Sequence, residues 1–284
     1  MTRRIPRVLT IAGSDSGGGA GIQADLKTMT VLGAYGMSVI TSITAQNTVA
    51  VTGIYDLAPE AVARQLDAVL SDIGADAVKT GMLSSAAIIE VVAAGLERHA
   101  VKNIVIDPVM LAKSGDALLR EDACETLKAR LLPLATLVTP NIPEAEALTG
   151  MDIHDEAGLR AAAEALHALG PAHVLIKGGH SGGDESTDYL YDGKVMRAYS
   201  TRRIATRNTH GTGCTLSAAI ATCLGFGCAV PEAVRLAKDY ITGAILHADE
   251  LGVGSGHGPL HHGWRLEHLK GTPFTEVDDK DPIV

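Results

Sequence analysis

The chain has 284 residues, a length that suits one large α/β layer structure. Hydrophobic residues make up 46% and aromatics only 3%, so Ala, Val, Leu and Ile must fill the core, as in parallel strands covered by helices. A formal net charge of −9 with no long basic run argues against nucleic acid or an anionic membrane as a partner.

Taken in chain order, Arg7–Gly13 is expected to form a first strand ending in a glycine turn. Ile22, Leu26, Met29 and Leu32 then mark one face of a helix. Met37–Thr44 is β-branched and predicts a strand, and Ala58–Ile73 a helix with Pro59 at its start. Ala77–Gly81, Asn103–Pro108, Leu137–Asn141 and His173–Gly179 predict four more strands, each beside a helical pattern. Tyr189–Val195 reads as a hairpin turning at Asp192-Gly193. Leu216, Ala219, Ile220, Cys223 and Leu224 give a helical stripe, and Ala229–Leu251 a long helical stretch. Repeated βα units predict a mostly parallel sheet with helices on both faces, an α/β sandwich of three layers. Without a repeat or a linker, residues 1–270 are expected to form one domain, with a charged tail over 271–284. Cys124, Cys214, Cys223 and Cys228 show neither metal spacing nor a disulfide framework, and Cys223 and Cys228 are expected to pack as small apolar groups. The absence of an apolar signal core after Met1 and of any 18-residue apolar run predicts a soluble cytoplasmic protein.

Ligands of an open parallel sheet sit beyond the carboxyl ends of its strands, so the loops there are the candidates: Gly13, Asp15, Gln46, Lys79, Met82, Asp107, Asn141, Glu144, Lys177 and Gly211–Cys214. The run His210-Gly211-Thr212-Gly213-Cys214-Thr215 feeds a helix, whose free N–H groups and dipole make an anion site. A thiol at such a start is favoured as thiolate, so Cys214 points to chemistry on a phosphate; the alternative is a plain glycine cap. Gly13–Asp25 only loosely resembles a dinucleotide fingerprint, and lacks an acidic residue at the expected distance; it reads as a flexible loop, or as one closing over a small substrate with Asp25 accepting a hydrogen bond. No P-loop run is present. Asp107 and Glu144 suit magnesium carried with phosphates, while Asn141 and Glu144 equally suit a helix cap. Lys177 either reaches phosphate oxygens or is solvated. His257, His261, His262 and His268 lack zinc spacing and read as surface or substrate-side residues.

Seven ordered blocks together resemble one family: Ile11–Lys27, Thr44–Thr48, Val78–Met82, Val105–Met110, Thr139–Glu144, Ile176–His180 and His210–Ser217. They are similar to the hydroxymethylpyrimidine/phosphomethylpyrimidine kinases of thiamine biosynthesis, within the ribokinase-like superfamily, over Arg7 to Leu269. The resemblance implies a kinase using ATP and Mg2+ on 4-amino-5-hydroxymethyl-2-methylpyrimidine and then on its monophosphate, and a homodimer. It implies Gln46 on the pyrimidine with Gly13, Asp25, Met82 and Val109 around it. Asp107, Asn141 and Glu144 fall on the magnesium and phosphate side, and Lys177 on the nucleotide phosphates. Gly211, Thr212, Gly213 and Cys214 form the anion hole, with Cys214 in the general-base position. Many sugar kinases of the superfamily carry aspartate there. The rival readings are a pyridoxal kinase of the same superfamily and a non-catalytic pyrimidine-binding protein on this fold. Some relatives carry a fused thiamine-pathway partner, for which this chain is expected to be too short.

Overall fold

A computed structural model describes residues 4–110, 121–178 and 183–269. The tail expected over 271–284, the Gly179-His180 end of one block and the His268 side chain lie outside the described residues. Nine strands form one sheet in the order β3-β2-β1-β4-β5-β6-β7-β8-β9. The parallel middle comprises β1 (Arg7–Asp15), β2 (Tyr35–Gln46), β4 (Ala77–Thr80), β5 (Ile104–Ile106), β6 (Leu137–Val138) and β7 (Val174–Lys177). Three antiparallel strands extend its two sides: β3 (Val51–Asp56), β8 (Glu185–Tyr191) and β9 (Met196–Arg202). The hairpin at Asp192-Gly193 is present; β3 is an additional strand that the sequence reading did not include.

Strand alternation divides the core into two layers. Leu9, Ile11, Val78, Ile104, Ile106, Val174 and Ile176 face one side. There they meet α2 (Pro59–Asp72), α3 (Ala86–Arg98), α4 (Glu121–Thr126), α5 (Ile142–Thr149) and α6 (Glu156–Ala168). Val8, Ala77, Val105, Leu137 and Leu175 face the other, against α1 (Gly21–Val31), α7 (Thr212–Gly225) and α8 (Val230–Leu246). Cys223 and Cys228 pack at the edge of that second layer, as expected of small apolar groups. Among the described residues no helix is long and apolar enough to cross a membrane.

A polar cluster interrupts the second layer at α1. The β1–β4 register sets Thr10 beside Lys79, and both reach Asp25 on α1. Thr10 Oγ1 donates to Asp25 Oδ2 at 2.6 Å and Lys79 Nζ at 2.9 Å, with Lys79 and Asp25 wholly buried. Asp25 Oδ1 has no partner. Burial disfavours the Lys79 ammonium, but Asp25 and nearby anions outweigh it and raise its pKa. Removing one member of a buried pair strands the other charge, whereas replacing both with apolar groups does not. Asp25→Ala should therefore destabilise the protein by about 3–5 kcal/mol, and Asp25→Leu combined with Lys79→Met by clearly less. Urea unfolding of the three proteins checks this; equal losses for single and double variants would contradict it.

Candidate active site

The carboxyl ends of the parallel strands open into a cavity of about 760 Å³. Gly13, Gln46, Met82, Val109, Asp107, Asn141, Glu144, Lys177 and Gly211–Cys214 all border it, as expected, but Asp25 does not. Asp25 is wholly buried, with one carboxylate oxygen held by Thr10 and Lys79, and Lys79 lies buried within β4 instead of in a loop. The helical stripe expected on α1 is rotated accordingly: Asp25 and Thr28 are buried beside Ile22 and Met29, while Leu26 is only half-buried.

The turn expected to hold an anion is built on the start of α7. Gly211 has φ +84°, and a Cβ there would collide with the Gly19 carbonyl, so only glycine fits. The first helical bond runs from Thr215 N–H to Gly211 O, leaving Gly213 and Cys214 N–H ahead of it. Thr212 N–H turns back to Thr209 O at 3.4 Å, so Gly213 and Cys214 are the N–H donors that the turn presents. Beside this turn, Lys177 Nζ lies 2.8 Å from Asp107 Oδ1 and 3.9 Å from Glu144 Oε2. A Cβ on Gly213 would stand 3.3 Å from Lys177 Nζ and 3.4 Å from Asp107 Oδ2, so the cation, the carboxylate and the helix start share one spot. Burial pushes the Asp107 carboxyl up, but Lys177 and Lys79 outweigh this and hold it below its ordinary value. Burial, with Asp107 adding to it, pushes Glu144 up to about 7 against the opposing pull of Lys177. Asn141 and Glu144 form the capping box expected on α5, and both also border the cavity. Lys177 is not a solvated lysine.

Cys214 is half-buried beside the start of α1, where the Gly21 N–H slightly favours its thiolate. Burial pushes its thiol up to about 11; Lys79 opposes this and Asp25 and Asp107 add to it. The thiolate expected from the helix field alone is therefore not the resting state: desolvation and neighbouring carboxylates win.

At the other end, Gln46 Oε1 accepts from Thr44 at 3.1 Å and its Nε2 lies 3.4 Å from His210 Nε2. His210 Nε2 in turn meets Asp15 Oδ2 at 2.9 Å. Asp15 also takes the N–H groups of Gly17, Gly19 and Ala20, fixing the glycine loop. Burial raises the Asp15 carboxyl, but His210 and these donors hold it lower than usual. A Cβ on Gly13 would come within 2.5 Å of the Met82 methyl group, so the missing side chain makes room there. His210 and Asp15 had no assigned role in the sequence, since 195 positions separate them. His262 is not at the surface but buried behind α7, where Thr215 Oγ1 meets its Nε2 at 3.0 Å; burial lowers its pKa to about 4.

The sequence profile of phosphomethylpyrimidine kinase matches residues 15–261. The chain belongs to the phosphomethylpyrimidine kinase family. A hydroxymethylpyrimidine/phosphomethylpyrimidine kinase of Streptomyces coelicolor is 54% identical over 264 residues, covering 92% of this chain and 96% of that one. The thiamine biosynthesis bifunctional protein of Geobacter sulfurreducens is 56% identical over 266 residues, covering 92% of this chain; the chain spans about half of that protein, 54% of its length. Among solved structures, a Clostridium difficile phosphomethylpyrimidine kinase is 48% identical at TM-score 0.76, covering 85% of this chain and all of that one. An ADP complex of Bacillus subtilis pyridoxal kinase is 40% identical at TM-score 0.86, covering 93% and 99%. The architecture of this family member is thus the ribokinase-like α/β sandwich that the sequence blocks implied.

The state of Cys214 is open to direct measurement. With ligand-free protein, alkylation of the Cys214 peptide by iodoacetamide should remain slow up to pH 9 and rise toward an inflection near 11. An inflection below the ordinary cysteine value of about 8.5 would contradict the dominance of burial.

Proposed function

We propose that the chain transfers the γ-phosphate of ATP to the hydroxymethyl oxygen of 4-amino-5-hydroxymethyl-2-methylpyrimidine, and then a second phosphate to the monophosphate. The observation that carries this reading is one cavity joining two chemistries. A ring-sized end is lined by Gln46, Met82, Gly13 and Val109, and an anion end by the α7 start, Lys177 and Asp107. Family membership and the printed names of the relatives support the substrate class.

In this reading the Gln46 amide meets the aminopyrimidine edge, because an amide both donates and accepts. Phosphoryl transfer has a loose transition state with charge on the transferred oxygens, so positioning and fixed donors do most of the work. Gly213 and Cys214 N–H face that charge, and Lys177 exchanges Asp107 for nucleotide phosphates. Asp107 and Glu144 are hard oxygen donors at the phosphate end, and among the described residues no cage of three or more His, Cys, Asp or Glu exists. One or two carboxylates suit magnesium carried with phosphates. Bound there, magnesium would neutralise phosphate charge. Asn141 completes the nucleotide side. Cys214 stands in the base position, and its high pKa limits the base contribution, leaving the donors and Lys177 the larger share. A cytoplasmic homodimer belongs to the same reading; the outer strand β3 exposes Ile54 and Tyr55, with Ile43 of β2 beside them, as a self-pairing edge would.

A second reading, pyridoxal kinase, is favoured by the likeness to the Bacillus subtilis ADP complex. Mass analysis of products from ATP, magnesium and each acceptor separates the two. The expected result is pyrimidine mono- and diphosphate, with kcat falling by up to about 10²-fold in Cys214→Ala, the lower end of general-base catalysis, and ATP KM little changed. Preferential turnover of pyridoxal would overturn the substrate assignment, and an unchanged kcat would remove the base role.

A further inference from the structure

A further buried ion pair borders the cavity and has no part in the chemistry above. Lys238 of α8 reaches Asp188 of β8, Nζ to Oδ2 at 2.7 Å, with side chains only 8% and 6% exposed. The other Asp188 oxygen accepts the N–H of Gly178 at 3.0 Å. Gly178 directly follows Lys177, and the β7–β8 register sets Lys177 opposite Asp188. A Cβ on Gly178 would collide with the Thr187 carbonyl, so backbone and carboxylate clamp this residue from two sides. The clamp sits one residue from the ammonium that pairs with Asp107 beside the α7 start. Its far anchor is α8, which packs on α7.

We propose that Lys238 is a positioning residue. Acting through Asp188 it fixes the backbone at Gly178, and thereby where the Lys177 ammonium stands and how tightly the site grips a nucleoside di- or triphosphate. Lys238 need not touch the nucleotide: its charge holds Asp188 in place, and Asp188 holds the Gly178 N–H. Displacements of about 1 Å in a positioned group cost as much as 100-fold in transfer rates, so a remote anchor of this kind is measurable. The inference rests on the kinase reading.

The test is a double-mutant cycle read by calorimetric titration with magnesium and ADP. Lys238→Met should weaken ADP binding by about tenfold in otherwise native protein, but by less than about twofold in the Lys177→Met background. Lys238→Arg, which keeps a cation on Asp188, should stay within about twofold of the native affinity. The KM of the acceptor, bound at the Gln46 end, should not move. Equal losses in both backgrounds would mean that Lys238 contacts the nucleotide itself or only stiffens the fold, and would overturn the inference. So would a Lys238→Met protein that binds ADP normally. Should that variant not fold, Lys238→Gln takes its place in the same cycle. If native protein binds no ADP, the kinase reading fails; if it binds ADP and the cycle is additive, only this inference fails.

Discussion

The site depends on a contact between two backbones. Gly211, at φ +84°, lies so close to the Gly19 carbonyl that no Cβ fits. That contact, latched by Asp15 and His210, brings the start of α7 and the start of α1 to one cavity. Cys214 then meets Gly21 N–H, and Gly213 meets Lys177 and Asp107. The glycine loop and the α7 turn are distant in sequence yet meet here, so in the proposed function a ring bound at Gln46 would be presented to the start of α7.

Charge around that turn is arranged in pairs. Lys177 answers Asp107 and Glu144, and Lys79 answers Asp25 below them. A bare lysine beside a helix start would repel the field that the turn creates, whereas a paired lysine is held until phosphates compete for it. Burial raises the Cys214 thiol pKa, and Asp25 and Asp107 add to it, because a thiolate there would add another negative charge to a desolvated cluster. The turn is thus prepared for an incoming anion more than for a resident one.

Much of this was legible in the sequence, and the remainder has identifiable causes. The parallel strands were readable because Val, Ile and Leu alternate or run together where both faces are buried, as in Val105 against Ile104 and Ile106. The edge strand β3 was not, since Val51–Asp56 faces solvent and carries little apolar pattern. Glycine spacing located the α7 turn, but Asp25 was placed on the substrate because a carboxylate after a glycine loop gives no sign of a lysine 54 positions away. The high pKa of the Cys214 thiol was not legible for a similar reason: the helix start is local and visible, whereas the burial, Asp25 and Asp107 that oppose its field come from other elements. The Asp15–His210 latch and the Lys238–Asp188 clamp are likewise products of topology, without a local motif to announce them.

The central claim is that phosphate passes at the first turn of α7. A crystal structure of this chain with a non-hydrolysable ATP analogue and the hydroxymethylpyrimidine tests it most directly. The account predicts terminal phosphate oxygens within hydrogen-bond distance of the Gly213 and Cys214 N–H groups, Lys177 turned from Asp107 toward the phosphates, and the pyrimidine against Gln46. A terminal phosphate bound elsewhere, with the Lys177–Asp107 pair intact and the α7 turn empty, would contradict it.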